Sequence, residues 1–159
     1  MNVTSPTAAT LTINNTVDMS FGGSDLTGAN TNRAQILDAI ALTKSGPGTF
    51  TLGGTLQGGA TEGGNTFTGA TKVLAGILSL GETTSLRNSA FDTLNSVTGD
   101  ATNGLRTTVT TLTLGGLTGG NDFASRFTTT TGGYTGLTAL TLNPGTGVTH
   151  SEFNPSATE

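Results

Sequence analysis

The residue types best suited to catalysis lie next to one another near the end of the sequence. His150 is the single histidine of the chain, and Ser151 and Glu152 follow it directly. A serine nucleophile, a histidine base and an orienting acid use these three residue types. Neighbours on an extended segment point in different directions, so these side chains do not converge on one substrate. The sequence therefore predicts no catalytic residue here, and a protein that is not an enzyme.

Two acidic residues flanked by glycine are candidates for calcium binding. They are Asp25 in GGSDLTGAN and Asp122 in TGGNDF. Neither shows the regular GGxGxDx spacing that builds a calcium-binding β-roll, and aspartates in loops usually form turns. The chain also has no cysteine, which excludes disulfides and thiolate metal sites. We therefore expect turns at these aspartates, with no metal and no cofactor.

The composition limits the size of the core and the choice of partners. Only 33% of the residues are apolar, which favours narrow stacked cores over one large core, and the 36 threonines favour strands over long helices. Charged residues make up 10% of the chain and the net charge is -4, so we expect no binding to nucleic acid. No stretch approaches the roughly 18 apolar residues that span a bilayer, so we expect no membrane insertion.

The first part of the sequence predicts strands followed by a short helix. Apolar residues of one parity predict one long strand or two short strands that end at Gly22-Gly23; they are Leu11, Ile13, Val17, Met19 and Phe21. Between residues 32 and 42 the spacing changes to that of a helix, with Ala34, Leu37, Ile40 and Ala41 recurring on one side. This pattern predicts a short helix or a cap near residues 32–42.

From Leu42 to Leu80, short strands alternate with glycine-rich turns. Phe50 and Leu52 place their side chains on one face of a strand, as do Leu78 and Leu80, and glycines separate the two strands. Strand, turn, strand, turn is the pattern of consecutive coils. The sequence therefore predicts an all-β fold, a parallel β-helix or β-solenoid.

The same segment resembles the autotransporter-associated β-strand repeat of very large bacterial surface proteins. The matching positions are Lys44-x-Gly46-x-Gly48-x-Phe50-x-Leu52 and Asn65-x-Phe67-x-Gly69-x-Thr71-x-Val73-x-x-Gly76-x-Leu78-x-Leu80. Residues 88–150 resemble the spacer between repeats in long members of that family. The resemblance implies a right-handed parallel β-helix stalk, located outside the cell or on its surface, without catalytic residues.

The chain departs from that family pattern at Thr55–Glu62, which we interpret as an insertion that forms a bulge or side loop. We expect one solenoid domain over residues 1–159. Residues 1–41 form its first strands and cap, residues 42–81 carry the repeat motif, and residues 82–159 form further coils.

An internal repeat supports further coils after residue 82. Val109-x-x-Leu112-x-Leu114 and Leu137-x-x-Leu140-x-Leu142 have the same spacing, 28 residues apart. This distance is within the roughly 20 to 50 residues of solenoid repeats. The three-residue step in each copy predicts a bend or bulge. Between the copies, Phe123, Phe127 and Tyr134 are expected to fill the interior or cap an end.

The ends of a solenoid expose unpaired backbone and apolar ladders, which another molecule can cover. We therefore expect copies of the chain to assemble head to tail into an extracellular filament. We expect the segment from Val3 to Ile13 to act as a strand donor, and the assembly residues to be Val3, Leu11, Ile13, Leu140 and Leu142. The alternative is a passive stalk module of a large bacterial adhesin.

Three further functions are less well supported by the sequence. A polysaccharide-active β-helix enzyme would need clustered acids along one cleft. Glycans of the cell surface or matrix are candidate partners for the outer threonines. Ice binding needs Thr-x-Thr pairs stacked on successive coils, and the gaps between the pairs here are irregular; the pairs are Thr49-x-Thr51, Thr66-x-Thr68 and Thr111-x-Thr113.

Overall fold

Alternation of polar and apolar residues produces short strands with one buried face. In Thr49–Leu52, for example, Phe50 and Leu52 are buried while the two threonines between and before them are only partly covered. A computed structural model describes residues 2–22, 35–53, 65–129, 133–134 and 136–143. The strands in these residues are β1 (Asn2–Val3), β2 (Ala9–Ile13), β3 (Met19–Phe21), β4 (Gln35–Ile36), β5 (Ile40–Lys44), β6 (Thr49–Leu52), β7 (Thr71–Val73), β8 (Ile77–Leu80), β9 (Leu86–Asp92), β10 (Gly104–Thr107), β11 (Thr111–Thr118) and β12 (Ala139–Leu142).

Every strand pair in the described residues is parallel, and each strand pairs with its counterpart on the next coil. The six-stranded sheet has the order β12-β11-β9-β7-β5-β2, and the four-stranded sheet has the order β10-β8-β6-β3. A short third sheet joins β1 to β4. The protein is therefore an all-β parallel β-solenoid of about four turns, as the sequence predicted. The first coil contains β1 to β3, the second β4 to β6, the third β7 and β8, and the fourth β9 and β10; β11 and then β12 continue the six-stranded sheet on the coils that follow.

Two columns of inward-facing residues run through the solenoid and form its core. In the four-stranded sheet the column is Met19, Phe50, Leu78 and Leu105, extended by a bridge to Phe127. In the six-stranded sheet it is Leu11, Leu42, Thr71, Phe91 and Leu117. Because the same positions stack on every coil, each buried side chain is covered mainly by its neighbours one coil above and below.

The turn between the two large sheets brings backbone segments of successive coils very close together. Gly76 has a φ of +68°, and a side chain there would lie 2.7 Å from the carbonyl oxygen of Gly48 and collide with that of Gly46. Only glycine adopts this conformation without strain and without a Cβ atom in the way. The glycines of the motif therefore set the distance between coils at this corner.

The structure confirms the first strands and the internal repeat. The alternating residues 11–21 form two short strands, β2 and β3. Leu112 pairs with Leu140 and Leu114 pairs with Leu142, so the 28-residue repeat is one turn of the solenoid. The three-residue step from Val109 to Leu112 crosses a bend that precedes β11.

The predicted helix near residues 32–42 is wrong. The described part of this range forms β4 and the beginning of β5, separated by a turn in which Asp38 has a φ of +64°. Pairing with neighbouring coils satisfies the backbone of both strands, and this outweighs a weak local helical pattern. The single 3₁₀ helix in the described residues is Ala124–Arg126. The predicted insertion at Thr55–Glu62 lies outside the described residues.

Candidate assembly surfaces at the two ends of the solenoid

The first coil presents one edge of each of its strands away from the rest of the molecule. In the described residues, β1, β2 and β3 pair only with β4, β5 and β6 of the second coil. Met19 begins the inward column of the four-stranded sheet, yet its side chain is 45% exposed, and Val17 just before it is 71% exposed. We call the outer side of β1 to β3, with Val17 and Met19, the N-terminal end surface.

The predicted strand donor is part of this coil. Val3, Leu11 and Ile13 are half-buried and pack against the core, and β2 pairs with β5 over five residues. The segment from Val3 to Ile13 is thus no free arm, because its strands already hydrogen-bond within their own chain. That this segment donates a strand to another copy stays a prediction.

The last described strand forms the opposite end. In the described residues, β12 pairs only with β11, and all four of its residues are exposed. Leu140 and Leu142 pair with the buried, inward-facing Leu112 and Leu114 and so extend further inward columns of the six-stranded sheet, but they are 40% and 44% exposed. They form the C-terminal end surface together with Tyr134.

An aromatic cluster fills the interior beneath Tyr134. The ring of Phe91 meets that of Phe123, which meets Phe127, with centroid separations of 5.7 and 5.0 Å. Tyr134 then lies edge-on to Phe127 at 5.5 Å and remains 49% exposed. These are attractive geometries for aromatic rings. Phe123 and Phe127 are buried inside, as predicted, and Tyr134 lies beside the last described part of the four-stranded side, one coil before β12.

The predicted assembly residues therefore separate into two groups at opposite ends. Val3, Leu11 and Ile13 lie at the N-terminal end surface, and Leu140 and Leu142 at the C-terminal one. Val17 and Met19 were not expected to take part in assembly, because they share the parity of the half-buried residues in β2. Their exposure follows from their position on the first coil, where no earlier coil covers them in the described residues.

Polar side chains inside the solenoid serve its structure. Lys44 faces the interior of β5 and is fully buried; its Nζ donates hydrogen bonds to the carbonyl oxygens of Gly46 and Ala75. Burial lowers the pKa of Lys44, because the charged amine loses its water. Thr71 and Ser89 also face inward, with their hydroxyl oxygens 2.8 Å apart on neighbouring coils. These contacts tie consecutive coils together.

Asp122 and Asp100 both shape turns. The Asp122 carboxylate accepts hydrogen bonds from the amides of Ala124 and Ser125, which confirms the turn predicted there. The amide of Thr102, with help from the side chains of Asn103 and Thr102, lowers the pKa of Asp100 to about 2. In the described part of the chain, no three histidine, cysteine or acidic residues form a group suited to a metal ion. Asp25 and the segment His150, Ser151 and Glu152 lie outside the described residues.

The Thr-x-Thr pairs do not stack on one another. Thr49 and Thr51 lie in the four-stranded sheet, beside Ile77 and Ser79 of the next coil. Thr111 and Thr113 lie in the six-stranded sheet, beside Ala139 and Thr141. The third pair, Thr66 and Thr68, lies in neither sheet. No flat array of paired threonines is formed by these three pairs.

No protein-family model matches the chain, and no curated protein or solved structure is significantly similar to it. The likeness to the autotransporter-associated repeat therefore stays a prediction from the motif. Among the described residues, no helix has the length and apolar character needed to cross a membrane.

Proposed function

We propose that this chain is a structural protein whose copies assemble head to tail into a filament through the two ends of the solenoid. The observation that carries the proposal is that both end surfaces expose apolar side chains belonging to the inward columns. Phe50 and Leu78 in the middle of a column are fully buried, whereas Met19 at its beginning is 45% exposed. A further coil from a second copy would cover Met19 in the way that β8 covers Phe50.

The size of the apolar contact suggests reversible assembly. Full burial of a large apolar side chain contributes about 1.5 to 3 kcal/mol, so five half-exposed side chains contribute about 5 kcal/mol. They are Val17, Met19, Tyr134, Leu140 and Leu142. Loss of rotational and translational freedom costs at least about 4 kcal/mol. Strand pairing across the interface must supply the remainder, and we expect filament length to increase with protein concentration.

An extracellular role on a bacterial surface accompanies this proposal. Its support is the motif from Lys44 to Leu80 together with a parallel solenoid whose interior polar groups make hydrogen bonds between coils. Copies of the chain are the proposed partners, and surface or matrix glycans are further candidates. We propose no catalytic activity and no cofactor, no binding to nucleic acid and no insertion into a membrane.

The test compares untagged protein with two matched variants in β12. Leu142→Asp places a charge on the inward column of the C-terminal end surface. Thr141→Asp places the same charge on the same strand. Because Thr141 is next to Leu142, its side chain points to the opposite face of the strand. We expect wild type and Thr141→Asp to form filaments by negative-stain electron microscopy and sedimentation velocity, and Leu142→Asp to remain monomeric. Circular dichroism and thermal unfolding verify that all three are folded.

A wild-type protein that stays monomeric at every concentration, as short uniform rods, would contradict filament assembly. That result would favour the alternative, in which the chain is a stalk module of a longer adhesin. The same end surfaces support that function, because neighbouring parts of a longer chain would then cover them. Filaments formed equally well by Leu142→Asp would show that assembly uses another surface.

A further inference from the structure

The corner that joins the six-stranded sheet to the four-stranded sheet on the fourth coil contains the one Asn-Gly pair of the chain. Asn103 is half-buried, and Gly104 begins β10. In such a pair the backbone nitrogen of glycine can attack the side-chain carbonyl carbon of asparagine, because glycine has no side chain to hinder the approach. We propose that Asn103 and Gly104 form a latent deamidation site, which the folded corner keeps unreactive and which reacts irreversibly once the third and fourth coils separate there. The site does not depend on assembly through the end surfaces.

The reaction at this site needs no partner except water. A bond forms between the nitrogen of Gly104 and Cγ of Asn103, the bond from Cγ to Nδ2 breaks, and Nδ2 leaves as ammonia with the amide proton of Gly104. Water then adds to either carbonyl of the resulting succinimide ring and opens it. The product carries a carboxylate in place of the side-chain amide. It is either aspartate or isoaspartate, in which the main chain runs through the former side-chain carbonyl.

The third coil holds both reacting groups in place. The amide of Gly76 donates a hydrogen bond of 2.8 Å to Oδ1 of Asn103. The carbonyl oxygen of the same Gly76 accepts a hydrogen bond of 2.9 Å from the amide of Gly104. Gly104 also lies against the following coil, since a side chain there would be 2.5 Å from the carbonyl oxygen of Arg126. Attack on Cγ therefore requires that Gly104 leave Gly76, which takes a local separation of the coils.

The leaving nitrogen of Asn103 is also hydrogen-bonded in the folded corner. Nδ2 donates to Oδ2 and Oδ1 of Asp100 at 3.0 and 3.2 Å, and to Oγ1 of Thr102 at 3.0 Å. Together with the bond from Gly76 to Oδ1, these contacts fix the plane of the side-chain amide. The folded corner thus restrains the nucleophile, the attacked carbonyl and the leaving group at once.

The product of the reaction does not fit the corner. The Asp100 carboxylate accepts hydrogen bonds from the amides of Thr102 and Asn103 and is ionised at neutral pH. A carboxylate at position 103 would donate no hydrogen bond to Asp100 and would repel it at short range. Isoaspartate would also lengthen the main chain where Gly104 is packed between two coils. Either product keeps the corner from closing again, so one opening leaves a lasting change.

The turn of Asp92 and Asn95 provides a matched control on the same coil. Nδ2 of Asn95 donates to Oδ2 of Asp92 at 2.8 Å, as Asn103 does to Asp100, but Ser96 follows Asn95 in place of glycine. The purified chain is incubated at neutral pH in native buffer and in urea, and peptide mass spectrometry measures deamidation at each asparagine. The wild type is compared with Asp100→Ala, which removes an acceptor of Asn103, and with Asp92→Ala, which opens the matching turn.

We expect Asn103 of the wild type to deamidate more slowly in native buffer than in urea by roughly tenfold or more, and to react before Asn95 in urea. Asp100→Ala should raise the native rate at Asn103 by roughly tenfold, and Asp92→Ala should leave it unchanged. Circular dichroism verifies that both variants are folded, and the comparison of native buffer with urea needs only the wild type. Equal rates in the two solvents would overturn the protection by the folded corner. Equal acceleration by the two variants would overturn the local control at this corner.

The lasting change is tested on wild-type protein that has been deamidated in urea and returned to native buffer. We expect the amide hydrogen of Gly104 to exchange roughly tenfold faster in modified than in unmodified chains, because its bond to Gly76 does not form again. Equal protection of this amide in both would contradict a one-way opening of the corner.

Discussion

Replacing Asn65 by alanine should destabilise the solenoid more than any comparable polar substitution on its surface. Asn65 is buried and lies at the point where the chain enters the third coil. Its Oδ1 accepts a hydrogen bond of 2.9 Å from the amide of Ile36, on the second coil. Its Nδ2 donates to the carbonyl oxygens of Gly53 at 2.7 Å and of Ser85 at 3.4 Å. One side chain therefore connects three successive coils.

The magnitude follows from the groups that lose a partner. In Asn65→Ala the buried amide of Ile36 and the carbonyl of Gly53 become unsatisfied, and each such group costs about 1 to 3 kcal/mol. The bond to Ser85 is long and contributes less. We expect the free energy of unfolding to fall by about 3 kcal/mol. With a denaturant slope of about 2 kcal/mol per M, the urea midpoint falls by about 1.5 M.

The control is Asn88→Ala, because Asn88 has an exposed side chain. We expect its urea midpoint to stay close to that of the wild type, since surface substitutions usually change stability by less than about 0.5 kcal/mol. Both variants are unfolded in urea and followed by circular dichroism and by the fluorescence of the single tyrosine, since the chain has no tryptophan. A fall of less than about 1 kcal/mol for Asn65→Ala, or equal effects of the two variants, would refute the view that Asn65 joins the coils.

Three other substitutions, one of them with a matched control, test the corner turn and the ionisable groups. Gly76→Ala should lower the free energy of unfolding by more than about 3 kcal/mol in urea, whereas Gly120→Ala, which has nothing within 4 Å of its added methyl group, should have little effect. Burial lowers the pKa of Lys44 below 10.5, so the unfolded chain binds more protons only between the lowered pKa and pH 10.5; stability should rise with pH across that window, and Lys44→Met should remove this rise. The pKa of Asp100 is about 2 instead of 3.8, so the stability it contributes is present above pH 3.8 and is lost as pH falls to about 2; Asp100→Asn should make acid unfolding less steep.

Much of the fold could be predicted from sequence because its signals are local. Alternation along Leu11 to Phe21 marks strands, and the identical spacing around Leu112 and Leu140 marks one turn of the solenoid. The failed helix shows the limit of local patterns. Residues 32–42 carry a weak helical spacing, but in the described part of this range pairing between coils decides the structure. Such contacts join residues far apart in sequence, for example Leu11 and Leu42, which are 31 positions apart. A single sequence does not show which strands pair.

The end surfaces were only partly predictable for a related reason. Alternation identifies which residues share a face, and Leu140 and Leu142 do pair with the buried Leu112 and Leu114. It does not say which coil is first, so Met19 had the same pattern as a core residue. The role of Asn65 could not be predicted either. The motif contains an asparagine at this position, but it does not indicate that the side-chain amide contacts three coils.

The interior and the ends of the solenoid differ in what makes their contacts specific. Inside, each coil carries its own polar group: Lys44 on the second, Asn65 on entry to the third, and Ser89 on the fourth. Displacing the stack by one coil would place each group opposite unsuitable partners, so the internal register is unique. The described end surfaces offer mainly apolar side chains and free strand edges. In the filament that we propose, apolar side chains and strand edges would not by themselves select one arrangement of the copies, so the shape of the end surfaces would have to do so.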